Sequence, residues 1–139
     1  MALSFFLIAR REKMDELKEK IMSMGFARNV WAEKRLCKLC PGNNIQRFME
    51  CLQIEDTSKQ FDVIQEIISI MHEAYELQMK YSNSDYEPFE VTNEMIEFLL
   101  DEKELMELIN RALAVFGIEG EVTVEAEPKK NADETIKST

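Results

Sequence analysis

Four residues in this chain could together hold a metal ion: Cys37 and Cys40, spaced as C-x-x-C, with Cys51 and His72 further along. Thiolates and imidazole are suitable zinc donors, and structural zinc sites draw on two closely spaced ligand pairs. Only the first pair is close here. Cys51 and His72 stand twenty-one residues apart, which weakens the spacing as a zinc signature. A redox-active C-x-x-C needs its first thiol at a helix N-terminus, where the thiolate is stabilised, whereas this motif closes a helical pattern. Free cysteine buried in a core behaves as a small apolar residue. The expectation is three packing cysteines, with no metal and no cofactor. His72 falls at the margin between the apolar and polar arcs of a helical segment, beside Glu73 and Glu76. Nothing in register with it supplies a nucleophile or a substrate pocket, so the pattern assigns no general base. H-E-x-x-H, G-x-S-x-G and G-x-x-x-x-G-K are all missing from the sequence, and with them the usual zinc-protease, hydrolase and phosphate-binding chemistries. The expected function is non-enzymatic.

A second constellation points to binding. If residues 28–40 form one helix, Arg28, Trp31, Arg35 and Lys38 fall within roughly 80° of one another. A basic face carrying Trp can hold phosphates and stack on bases. The same four residues can equally form the solvated face of a core helix. The chain as a whole is acidic, with a net charge of −10 at pH 7, and would repel nonspecific nucleic acid. That charge is unevenly spread. Residues 1–51 hold ten Lys/Arg against six Asp/Glu, and residues 52–139 hold seven against twenty-one. Such a split suits a chain that docks on a partner or folds one charged face against the other.

The elements that must position these residues read as helices. Leu3 to Ala9 is apolar and too short to decide between strand and helix; strand is the favoured reading. At seven residues it is also too short to span a bilayer, and Arg10 and Arg11 follow it rather than precede it, which is the wrong order for a signal peptide. Residues 12–24 read as a helix stopped by Gly25, and residues 28–40 as a second helix ending before Pro41-Gly42. Asn43 or Asn44 caps a short third one carrying Ile45, Phe48, Met49 and Leu52. Residues 58–81 carry the strongest periodicity. Their apolar residues cover an arc of roughly 200°, which marks a central helix packed on two sides, with Ile64, Ile67, Ile68 and Met71 expected to be almost fully buried. After a polar loop over 82–90, Thr92 or Asn93 opens another helix. Asp101 and Glu104 form a capping box for a last one, or for a bent continuation, with Leu105, Leu108, Ile109, Ala112 and Phe116 as its stripe and Gly117 as its stop. Val122, Val124 and Ala126 then alternate with charged residues, as a strand does. Residues 128–139 read as a disordered, charged tail.

Two local patterns resemble the small tail assembly chaperones of long-tailed bacteriophages. They are Leu36-Cys37-Lys38-Leu39-Cys40-Pro41-Gly42-Asn43 before a short helix, and an Ile-rich Phe61 to Tyr75 helix followed by a Tyr86-Glu87-Pro88 loop and a final acidic helix. The resemblance covers residues 36–117 and carries no catalytic motif. It implies a small, acidic, helix-rich protein, of phage or prophage origin, that coats the hydrophobic tape measure protein before the tail tube assembles.

These readings converge on a mainly α protein. The expectation is one helical domain over residues 1–127, with about five helices around the central helix 58–81, a minor two-stranded pairing of the termini left open, and the tail at 128–139. Its expected function is to hold amphipathic helical segments of a partner in an apolar groove with an acidic rim, in the cytoplasm, with self-association open and no membrane. Nine methionines suit such an adaptable surface as well as an ordinary core. The alternative function is a nucleic-acid-binding regulator using Arg28, Trp31, Arg35 and Lys38.

Overall fold

The computed structural model describes residues 2–117, with side-chain surroundings from residue 11 onward. Five α-helices and three short 3-10 segments make up the described chain, and no strand occurs among the described residues. The central helix, α3, runs Thr57–Ser82 and is capped by Asp56, whose side chain accepts the Lys59 amide at 3.2 Å. Its wide apolar arc is buried as the periodicity requires: Ile64, Ile67, Ile68 and Met71 are each 0% exposed. Asp62, Glu66 and Glu73 remain on the exposed side.

The N-terminal region differs from its sequence reading. Residues 3–9 are helical and continuous with the next segment, forming one helix, α1, over Ala2–Met22. No Gly or Pro separates the apolar run from Arg10-Arg11-Glu12, and a helix with no breaker between two helix-compatible stretches propagates through both. The strand assigned to Leu3–Ala9 is therefore replaced by helix, which removes it as a partner for a terminal two-stranded pairing. The alternating segment 122–126 and the tail at 128–139 lie outside the described residues.

The turn after α1 is set by close packing, not by a glycine stop. The helix ends at Met22, before Gly25, and Gly25 instead lies flat against an aromatic ring. A Cβ placed there would fall 2.6 Å from Tyr75 Cζ. The Ala27 amide donates to the Met71 carbonyl at 3.0 Å, tying the same turn to α3.

The second helix, α2, covers Val30–Leu36, with Asn29 as its cap. It is shorter than the predicted 28–40 because the chain tightens into a 3-10 turn at Cys37–Leu39. Cys40 is then extended, as the residue before a proline prefers to be. The short third helix is 3-10 in form, over Ile45–Leu52, and buries Phe48, Cys51 and Leu52. α4 (Asn93–Leu99) and α5 (Glu102–Phe116) are two separate helices. Asp101 and Glu104 form the reciprocal capping box at the start of α5, at 2.8 and 2.9 Å, and Gly117 ends it in the left-handed region at φ 96°. The α5 stripe packs on α3, and Phe116 stacks on Phe48 with ring centroids 4.6 Å apart. One core results, with α3 touching α2, α4, α5 and the 45–52 segment.

Candidate functional site

Cys40 and Cys51 adjoin each other, whereas His72 faces Gly25, Phe89 and Glu76 instead of the cysteines. Among the described residues no group of three or more His, Cys, Asp or Glu is placed to hold a metal ion. Cys40 and Cys51 are buried and Cys37 half-buried. The Cys37 and Cys40 thiols donate to the Lys34 and Leu36 carbonyls of their own helical turn at 3.3 and 3.4 Å. Burial, reinforced by neighbouring Cys40, pushes the Cys51 thiol up to about 12. Burial also raises Cys40, with Cys37 adding to it. Both thiols are held in the protonated form, opposite to what nucleophilic or redox work requires.

His72 is buried, 5% exposed, rather than lying at a surface margin. Its Nδ1 lies 2.9 Å from the Gly25 carbonyl oxygen and its Nε2 3.1 Å from that of Phe89, with Glu76 Oε2 at 3.6 Å. Glu76 accepts from the Tyr86 hydroxyl at 2.5 Å and from the Phe89 amide at 2.9 Å. Burial, followed by that Glu76 contact, raises the Tyr86 phenol to about 12. His72 and Glu76 together bind two loops to α3. Each ring nitrogen lies within hydrogen-bonding distance of a backbone carbonyl, which places the imidazole between the two loops.

Of the four residues of the basic constellation, the two arginines are engaged within the protein. Arg28 precedes α2; its Nε donates to Glu33 at 2.6 Å, its Nη1 donates to the Phe116 carbonyl at 2.6 Å, and its guanidinium lies over the Phe116 ring. Arg35 stacks on Trp31 at 3.8 Å and donates to the Trp31 carbonyl at 3.1 Å. Lys38 falls in the 3-10 turn beyond α2 and is exposed. Trp31 is half-buried and looks onto Leu77 and Tyr81 of α3 across an open hollow.

A concavity lies elsewhere, where the first turns of α3 meet the corner between α4 and α5. It encloses about 550 Å³. Phe61, Ile96, Leu100 and Leu105 supply its apolar lining, and Asp62, Glu97, Asp101 and Glu102 stand exposed around it. The arrangement follows from local sequence. The chain turns at Leu100-Asp101 because the Asp101 cap starts a new helix. That turn leaves Leu100 unable to join either helical stripe, and it lines the cleft half-buried. The helix N-termini beside the cleft have capping carboxylates, Asp56 and Asp101, already seated on their amides, so no bare anion site opens there. Sequence reasoning named none of these residues as a site. Acidic residues interleaved with Ile96, Leu100 and Leu105 are the signal that marks them.

No helix among the described residues is long and apolar enough to cross a membrane. The chain matches no known protein family, no curated protein and no solved structure.

Proposed function

We propose that this protein is a non-enzymatic assembly module that holds a basic-edged amphipathic helix of a partner protein in the cleft between the start of α3 and the α4–α5 corner. The observation that carries the reading is the combination of an apolar floor, Phe61, Ile96, Leu100 and Leu105, with a rim of four carboxylates. Helix-in-groove recognition uses apolar anchors at i, i+3/i+4 and i+7 against such a floor. Lys or Arg flanking those anchors would meet Asp62, Glu97, Asp101 and Glu102, which favours encounter and fixes orientation. Among the described residues, the buried thiols of Cys40 and Cys51 are held protonated, which gives no support to a thiol-enzyme reading. The engaged guanidiniums of Arg28 and Arg35 weigh against a phosphate-reading face. With the resemblance to phage tail assembly chaperones, the partner class becomes a long, hydrophobic, helical protein of the tape measure kind, met in the cytoplasm.

The test is calorimetric titration with a synthetic amphipathic helix built of Leu and Lys. Binding with a negative heat-capacity change, modest salt dependence and loss in Leu100→Asp is the expected result. The same titration with single-stranded DNA at low salt addresses the other class. Tight DNA binding abolished by Arg35→Glu with Lys38→Glu, and no binding of the helix, would replace this reading by a nucleic-acid regulator.

A further inference from the structure

A second apolar surface lies towards the other end of α3. Trp31, Leu77 and Tyr81 line an open hollow of about 530 Å³, and Tyr81 is 87% exposed. The polar side chains at its edge are engaged with one another. Asn29 Nδ2 donates to Gln78 Oε1 at 3.1 Å, and the Ser82 hydroxyl donates to the Gln78 carbonyl at 2.9 Å. What remains is an aromatic, apolar floor with a cation seated on it: the Arg35 guanidinium lies 3.8 Å from the Trp31 ring centroid.

The same chain carries an apolar projection that its own fold leaves uncovered. Phe98 of α4 is 80% exposed, although its neighbour Ile96 is buried and fixes α4 to the core. Acids flank it: residues 93–102 hold Glu94, Glu97, Asp101 and Glu102, all exposed, and neither Lys nor Arg. The segment bearing Trp31 has the opposite balance, with four Lys/Arg and one acid over residues 28–38. Knob and hollow stand towards opposite ends of α3. Asn93, at the start of α4, shares a recess with Glu73 and Glu76, and Glu97, near its end, shares the acid-rimmed cleft with Phe61 and Gln65, so α4 runs away from Leu77. Leu77 lies twelve residues beyond Gln65 in α3, which is about 18 Å along a helix. Phe98 therefore does not fill the hollow of its own molecule.

We propose that this chain self-associates head to tail, the Phe98 knob of one copy seated in the Trp31–Leu77–Tyr81 hollow of the next, with the acids around the knob meeting Arg35. An aromatic anchor entering an apolar pocket is a common centre of protein contacts. The opposite signs of the two segments favour knob in hollow over knob on knob or hollow on hollow. Because the two patches differ, the contact is heterologous. A pair still presents a free hollow at one end and a free knob at the other, so assembly continues beyond two. A contact centred on one aromatic anchor belongs at the small, weak end of interfaces and depends on concentration. Neither Phe98 nor the hollow lines the acid-rimmed cleft, so this inference and the partner-binding reading do not depend on each other.

Sedimentation equilibrium of the full chain tests this, with Trp31, the chain's single tryptophan, reporting on the hollow. The weight-average mass of the wild type should rise with concentration, together with a blue shift of its emission. Phe98→Asp and Tyr81→Asp should each remain monomeric. Both positions are exposed, and far-UV circular dichroism verifies that the helical body is retained. Mixing the two variants is the sharper arm. The first keeps only a working hollow and the second only a working knob, so the mixture should form pairs and stop there. A wild type that stays monomeric at every concentration would overturn the proposal, leaving the hollow to another protein or to solvent. Association that survives in either variant alone, or a mixture that fails to pair, would overturn it as well.

Discussion

Arg111 Nη2 donates to the main-chain carbonyl of Met24 at 2.6 Å, while Nη1 of the same guanidinium donates to the carbonyl of Met22. A side chain of α5 thus satisfies acceptors where α1 ends and the following turn begins. Its cationic plane also lies 5.4 Å from the Phe26 ring centroid, and Lys18 pairs with Glu104 at 2.7 Å alongside. Hydrogen bonds to charged donors contribute about 1.5–3 kcal/mol each. Arg111→Ala should therefore lower stability by about 2–4 kcal/mol in urea unfolding. Arg111→Lys should restore only part of it, because one ammonium cannot reproduce the planar fork.

The α3 core gives the plainest stability prediction. Ile68 is fully buried, and Ile68→Ala should cost about 2–5 kcal/mol through lost transfer energy and the cavity left behind. Thermal unfolding of the two proteins checks it; a change of a few tenths would contradict the packing of α3.

Gly25 should not tolerate a side chain. A Cβ there would meet the Tyr75 ring at 2.6 Å, and overpacking of this kind costs about 1–3 kcal/mol. In a double-mutant cycle, Tyr75→Ala should remove most of the penalty of Gly25→Ala. Additive effects would show that the ring and the turn are not in contact.

The buried thiols predict both a reactivity order and a pH dependence. In the folded protein half-buried Cys37 should be alkylated first, and Cys51 should resist until the chain opens. Its folded value, about 12, lies above the ordinary thiol value of 9.0. An acid whose folded value is raised binds its proton more tightly when native, so the unfolded chain loses protons first as pH climbs. The stabilising contribution is full below pH 9 and falls away as the pH rises from there towards 12. Denaturant midpoints measured across that window should fall in the wild type more steeply than in Cys51→Ala.

The parts of this fold governed by local rules were legible in the sequence. Periodicity placed the central helix at 58–81, against Thr57–Ser82 in the structure. The Asp101–Glu104 capping box and the Gly117 stop gave the bounds of α5. Where tertiary contact decided, the sequence was silent. Gly25 looked like a helix stop because its glycine character was visible and Tyr75 was not. His72 looked marginal because its two carbonyl partners, Gly25 and Phe89, lie 47 and 17 residues away. Helix 28–40 was too long because its last turn tightens into 3-10 form at Cys37–Leu39, a change that a helical wheel does not register. The cleft could not be located from sequence, since Phe61 and Leu105 meet there only after α5 has packed on α3.

The contacts of Arg111 and Arg28 also set an order of events. Met22 and Met24 are joined to α5 across 89 and 87 residues, and Arg28 reaches the Phe116 carbonyl across 88. On the ribosome the end of α1 emerges well before its anchor on α5, so these bonds cannot close until the intervening 87 to 89 residues have been made. Until Arg111 is available, the Met22 and Met24 carbonyls lack this donor. Vectorial synthesis thus separates these acceptors from their donors in time, and long-range closure of this kind is where folding is slow and misassociation competes.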